Sequence, residues 1–340
     1  MNVKRILKKT IIPALTSEPI SRLVNNLIGF SIPIFMMHRF ADEDHLGTGV
    51  SPHHLRNCLN YLRENNYTFL SVEEAIDILV NKKTPPKKPI VFTMDDGFLE
   101  QGKIAASIFP EFECPLTFFV ITGLLDQTLW PWDAKVSWVI DNNKNQSITL
   151  KLDDETILIT TEDLKQRRAV REKIRNILKE VDAESIPNIL KQFSESAGVE
   201  IPVKPPSQYQ PMNWENARSL EKKGIRFAPH SVSHRILSKL PRIEVLKEIS
   251  KSWSSLQENL ENPLKVFCYP TGRAFDFGPR EIKILQSLGF FGAVTTRPGH
   301  IDLNIKDDNN AFKLPRIELP NDLPTFVQYC SWIEYLRGKS

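Results

Sequence analysis

Two short stretches carry residues whose types and spacing suit chemistry. The first is Thr93-Met94-Asp95-Asp96-Gly97, where adjacent carboxylates close the apolar run 89–94. Two carboxylates at a strand end can divide two jobs, one holding a metal and the other moving a proton. The plainer alternative is an Asp-Gly turn after a buried strand. The second stretch is His230-Ser231-Val232-Ser233-His234. On a helix this spacing puts both imidazoles on one face, able to grip one ion, although two polar histidines at a helix start would look the same. The chain has 7 histidines, and this pair follows a predicted strand, as the aspartates do. Two histidines and one carboxylate make a common facial ligand set that leaves positions open for water and substrate.

The elements around these stretches must bring them together. Residues 32–37 read as a strand. A helix follows over 51–65, with Ser51 as N-cap, Pro52 in its first turn, and Leu55, Leu59 and Leu62 on one face. Residues 67–70 are a strand, and Ser71 caps the next helix. Strands at 89–94 and 115–121 flank a helix near 99–108. Apolar runs then recur in GIRFAP, PLKVFCYP, FFGAVTT and FKLPRIEL, separated mostly by helical patterns at 215–223, 243–260 and 279–287. Strands alternating with helices predict a parallel α/β architecture, either a barrel or an open sheet. In such folds the C-terminal strand ends collect on one face, where active sites form. The aspartate and histidine pairs can therefore meet in space.

Residues 126–211 break the rhythm. An aromatic opening, LWPWDAKVSW, leads to an alternating patch, a charged helical stretch and a Pro-rich close. The segment reads as a partly helical insertion, with a small hairpin, between two βα units. Its tryptophans, Trp132 above all, are candidates to stack on sugar rings, and equally candidates to anchor the insertion to a core.

Composition narrows the classes. The chain has 340 residues, 41% hydrophobic, with 44 basic and 41 acidic side chains, so it is globular and carries no strong field for nucleic acid. Cys58, Cys114, Cys268 and Cys330 are far apart and read as buried thiols of a reducing compartment. Near the N-terminus Lys4, Arg5, Lys8 and Lys9 precede an apolar run too short for a signal core, and no stretch reaches the roughly 18–20 apolar residues of a membrane span. The chain is therefore expected in the cytoplasm. Residues 1–15 are either a peripheral contact with the inner membrane surface or a solvated basic arm.

At this point the sequence resembles the polysaccharide deacetylases, also called NodB-homology domains or carbohydrate esterase family 4. Their motif T-F-D-D-G corresponds to Thr93–Gly97, and their H-S/T-x-x-H to 230–234. The segments IPIFMMHRF and VSPHHLRNCLNYLRENNYTFLSVEEA are similar to the branch acting on exopolysaccharides and biofilm glycans. The resemblance covers about 31–320, apart from most of the insertion. It implies a distorted (β/α)7-type barrel over 31–340, with 1–30 as a separate arm. It also implies that Asp96, His230 and His234 hold a divalent metal, most often zinc, with cobalt or nickel as alternatives, and that Asp95 is the general base. The substrate class it implies is an N-acetylated glycan.

The third family motif, R-x-P-Y within F-R-P-P-Y-G, appears as Phe267-Cys268-Tyr269-Pro270-Thr271-Gly272. Cys268 stands where an arginine usually braces the base, although the exopolysaccharide branch, with a form like F-A-Y-P-Y-G, also lacks it. Thr271 stands where a tyrosine supplies a backbone N–H to the oxyanion, a role that survives a side-chain change. Tyr269, Arg316 and Trp132 are the remaining candidates for the substrate or oxyanion side, although Arg316, ending the last strand, could equally orient a carboxylate or sit in a structural salt bridge. The usual late leucine-x-histidine motif is not visible. His38, ending the first strand, is the favoured acid or orienting group, with His300 as its competitor. The rival readings are a non-catalytic glycan-binding relative and an O-deacetylase on the same barrel.

Overall fold

The computed structural model describes residues 15–16, 19–20, 23–24, 30–41, 49–143, 145, 147–152, 155–160, 164–182, 184–305 and 309–338. The basic arm over 1–14 and His45 lie outside the described residues. Eleven strands are present among the described residues: β1 Ser31–Met37, β2 Thr68–Leu70, β3 Pro89–Asp96, β4 Leu116–Val120, β5 Ser147–Leu152, β6 Glu155–Thr160, β7 Arg226–Pro229, β8 Val266–Cys268, β9 Gly292–Val294, β10 His300–Asp302 and β11 Ile317–Glu318.

The sheet is mostly parallel. β3 pairs with β1 and β4, β4 with β7, and β1 with β11, all parallel. All eight residues of β3 are buried, which is why it reads as a continuous apolar run rather than an alternation. β8 and β9 form a separate parallel pair, tied to the main sheet by isolated bonds: Leu264 N–H donates to the Phe227 carbonyl, and Leu314 N–H to Ala293. The expected parallel α/β architecture is present. Ladder pairing does not run from β7 to β8 among the described residues.

Helices cover the sheet where the apolar spacing predicts them. Pro52–Glu64 buries Leu55, Cys58, Leu59 and Leu62, a spacing that lines one helix face. Val72–Val80 starts with a reciprocal cap: the Glu74 N–H donates to Ser71 Oγ (3.2 Å) and the Ser71 N–H to Glu74 Oε2 (2.7 Å). Ile32, Val91, Phe119 and Ala228 point into one core, and Phe35, Phe92, Phe118 and Phe227 into the other. No helix among the described residues is long and apolar enough to cross a membrane.

The segment 126–211 has its own core. The antiparallel β5–β6 hairpin packs with helices Trp132–Asn142, Leu164–Glu180 and Ile186–Ala197 around Val136, Ile140, Ile174 and Phe193. Trp132 is 8% exposed and belongs to this core. It anchors the insertion, and the sugar-stacking expectation for it is corrected. The indole is too buried to offer a ring face.

His300 is also displaced from its expected role. It lies on β10, which runs antiparallel against the start of β1, opposite Pro33. His38 follows the other end of β1, so the two histidines face opposite ends of the sheet. Instead of a free acid, His300 is a buried core imidazole between Ser31 Oγ (3.0 Å from Nδ1) and the Tyr329 carbonyl (2.8 Å from Nε2).

Candidate active site

The site forms where β3, β7 and β8 end. In a regular pleat, adjacent residues point to opposite faces. Asp96 leaves the pleat with φ 83°, and Gly97 follows at 107°. Asp95 stays on the face of Phe119 and Ala228, its neighbours across β4 and β7. The histidine stretch is not a helix, which corrects that expectation. Ser231 and His234 take left-handed φ values of 66° and 58°, and the His234 N–H donates to Ser231 Oγ (2.9 Å). The turn, rather than a helical face, brings the imidazoles together, with ring centroids 4.8 Å apart. Thr271 is left-handed as well, at 56°. Four of the nine left-handed non-glycine residues among the described residues thus lie at this site, where strained backbone is commonly tolerated.

Asp96, His230 and His234 are all buried, and one donor atom from each lies within 4.8 Å of the others. His230 Nδ1 is 2.9 Å from the Cys268 carbonyl. A carbonyl only accepts, so Nδ1 carries the proton and Nε2 keeps its lone pair. Burial pushes the His230 pKa down to about 3, so the ring is neutral at neutral pH. Burial lowers His234 too, and its Nδ1 is buried with no hydrogen-bond partner. Burial first, then the charges of Asp133 and Asp95, push Asp96 well above the usual carboxylate range. A buried carboxylate crowded by two others, facing neutral imidazoles, has the donor set and the charge demand of a divalent-cation site.

Asp95 is 1% exposed and Arg316 fully buried. Arg316 Nη1 donates to Asp95 Oδ1 and Nη2 to Oδ2, both at 2.7 Å. Its remaining donors go to the Thr295 carbonyl, Thr93 Oγ1 and Cys268 Sγ. Burial alone would raise the Asp95 pKa, but the Arg316 charge and hydrogen bonds outweigh it and hold the carboxyl well below its usual range. Arg316 therefore lies beneath the carboxylate, in the orienting position that the sequence left open beside the substrate or oxyanion side.

Cys268 also lies among ligand-type atoms, with Asp95 and His230. Burial pushes its thiol well above the usual range, and its sulfur accepts from Arg316 Nη2 (3.1 Å). Tyr269 is fully buried. Its ring stacks on Phe277 at 4.0 Å and its hydroxyl donates to the Phe312 carbonyl. It points away from the cluster, which corrects its candidacy. Thr271 donates through Oγ1 to Asp276, and its own N–H has no partner among the described residues. His38 is 39% exposed, with Nε2 3.6 Å from Asp95 Oδ2.

Two positioning residues escaped the sequence reading. Gln101 is fully buried. It accepts from the Gly97 and Phe98 N–H groups and donates to the His38 and Asp95 carbonyls, tying the turn after β3 to the end of β1. Glu248 accepts from the Val232 and Ser233 N–H groups (2.9 Å each) and from Ser233 Oγ, and so fixes the histidine turn. A glutamine in a first helical turn and a glutamate on a buried helix face were the available signals. Neither is distinctive alone.

Comparison with known proteins bears on this arrangement. Residues 149–291 match the family model for polysaccharide deacetylase. Over this stretch the chain resembles that family. The matched stretch includes His230, His234 and Cys268, and Asp95 and Asp96 precede it. No curated protein matches the sequence. Among solved structures, the chain is similar to the deacetylase PplD of Streptococcus pyogenes, in complex with acetate, at 19% identity and TM-score 0.57, over 89% of this chain and 98% of that one. It is similar to IcaB from Ammonifex degensii at 18% identity and TM-score 0.56, over 90% and 98%. A de-N-acetylase from Aggregatibacter actinomycetemcomitans aligns at 13% identity and TM-score 0.54, over 88% and 100%. At these identities the likeness establishes a shared fold.

Proposed function

We propose that this chain is a metal-dependent hydrolase that removes N-acetyl groups from amino sugars of a bacterial exopolysaccharide, capsule or lipid-linked glycan precursor. The observation that carries the reading is the gathering of Asp96, His230 and His234 beside the arginine-braced Asp95. The three donors suit zinc, with cobalt or nickel as alternatives. A cation held there would supply a polarised acetamide carbonyl and a lowered pKa for water.

The chain's own residues supply the rest. Asp95 accepts the proton of the attacking water. Arg316 keeps it ionised and fixes its oxygens, at the expense of basicity, so orientation contributes more than proton affinity. His38, half exposed and adjacent to Asp95, delivers a proton to the departing amine. The free N–H of Thr271 is the candidate donor to the oxyanion. The testing experiment measures acetate release from N-acetylglucosamine oligomers and a crude exopolysaccharide. Release should vanish with chelator, return with added zinc or cobalt, and be absent in Asp95→Asn at unchanged metal content. A protein that binds no metal would sink the reading.

A further inference from the structure

The insertion is fastened on two sides of the ligand cluster. On one side Arg39, next in the chain to His38, donates to the Gln208 carbonyl (2.6 Å) and lies over the Tyr209 ring (5.1 Å). On the other side Arg273, two residues after Thr271, pairs with Glu180 (3.1 Å), and Lys239 donates to the Glu180 carbonyl (3.3 Å). The helix Leu164–Glu180 therefore ends against the loop after β8.

Arg175 and Lys179 are four residues apart and share one face of this helix. Arg175 donates to Ser137 Oγ (2.8 Å) and reaches the Asp133 carbonyl (3.4 Å). Asp133 opens the helix Trp132–Asn142, and its charge pushes Asp96 upward more than that of Asp95 does. The face bearing Arg175 and Lys179 thus begins beside the metal-ligand cluster and ends beside Thr271.

The three cations of this face are not equally satisfied. Arg273 is held by Asp276 and Glu180, and Arg175 by Ser137 and Glu172. Lys179 makes no hydrogen bond or ion pair among the described residues, although it is partly buried. Burial, then the nearby Arg273 and Arg175, press its pKa below the ordinary lysine value, and the charges of Glu172 and Asp276 offset them only in part. An ammonium partly out of water, with guanidiniums nearby and no direct ion pair, favours an added counter-charge.

We propose that Lys179, flanked by Arg175 and Arg273, is an anion-recognising subsite, so that the glycan processed here carries a carboxylate or phosphate close to the N-acetylated sugar. The proposal rests on the deacetylase reading of the adjoining cluster. It narrows the substrate from amino-sugar glycans in general to acidic ones.

The test is a binding titration on the full chain, read by tryptophan fluorescence within seconds of mixing. Three probes are compared: a neutral N-acetylglucosamine tetramer, the same tetramer bearing a terminal 1-phosphate, and an alternating N-acetylglucosamine–glucuronate tetrasaccharide. At least one anionic probe should bind roughly tenfold tighter than the neutral one, as a charged contact at a partly desolvated site allows. The advantage should shrink with salt, disappear in Lys179→Met and persist in Lys179→Arg. Lys179→Gln replaces the methionine variant if that one does not fold. Whichever probe is favoured identifies the anion as phosphate or carboxylate. Equal affinities for all three probes, or an advantage that survives loss of the lysine charge, would overturn the subsite. Acetate assayed in the same samples reports on the deacetylase reading separately.

Discussion

Arg316 and Asp95 form a fully buried, two-pronged ion pair although 221 positions separate them in sequence. The guanidinium occupies the bracing role that the third motif lacks, and Cys268 Sγ sits 3.1 Å from it as a small neighbour. A third-motif arginine at position 268 would put two guanidiniums on one carboxylate, so the cysteine and Arg316 make sense together.

Removing the arginine should cost both stability and rate. Arg316→Met leaves a buried carboxylate unpaired, a loss of about 3–5 kcal/mol in urea unfolding. The Asp95 pKa, no longer held down, should rise, so the acid limb of the kcat/KM profile moves to higher pH. Activity at neutral pH should fall by roughly 10²-fold or more. An unshifted acid limb would show that Arg316 does not tune this carboxylate.

Cys268→Ala should be mild. The thiol is protonated by burial, and its metal-ligand geometry with Asp95 and His230 is incidental on this account. Metal content measured by mass spectrometry should stay at wild-type level, and activity should stay within a few-fold. Loss of the metal would make Cys268 a ligand and replace the Asp96 cluster as the proposed centre.

Glu248 touches no proposed ligand side chain but holds the turn that carries two of them. Glu248→Ala should weaken zinc affinity roughly 10–100-fold, the range expected when a ligand's supporting partner is removed. Competition with a chromogenic chelator measures this. A variant that folds with undiminished affinity would assign the turn's geometry to Ser231 and the chain itself.

His38→Ala should retain its metal and lose roughly 10²–10³-fold in amide hydrolysis. The loss should be much smaller on an aryl acetate, whose leaving group needs no proton. Equal losses on both substrates would assign His38 to orienting Asp95 rather than to the leaving group.

His300 gives a pH signature away from the site. Burial pushes its pKa down to about 4, below an unfolded value near 6.5, so the unfolded chain binds the extra proton. Stability should therefore fall as pH drops from about 6.5 towards 4, by up to about 3 kcal/mol from this group, and be indifferent to it above neutrality. Urea midpoints at pH 7.5 and 4.5 should converge less in wild type than in His300→Gln. Identical pH dependence would mean that His300 is not held neutral.

The strand–helix alternation was legible because buried parallel strands are continuous apolar runs and the covering helices repeat their apolar residues at helical spacing. β3 and the helix Pro52–Glu64 show each pattern. β10 escaped notice because three residues, His300–Asp302, carry no periodicity. Asp95, Asp96, His230 and His234 stood out because their types and order are local features of two short stretches. The roles of Glu248 and Gln101 were not legible, and for Arg316 the sequence left substrate binding, carboxylate orientation and a structural salt bridge open. Each is an ordinary residue whose meaning lies in which distant groups its donors or acceptors reach. The same holds for Tyr269 and Trp132, which sequence alone could not distinguish from binding residues. Residue type and short-range spacing thus determine the chemistry on offer. Which side chains face the site, and which are spent on packing, follows from burial and long-range pairing, quantities that exist only once the chain has folded.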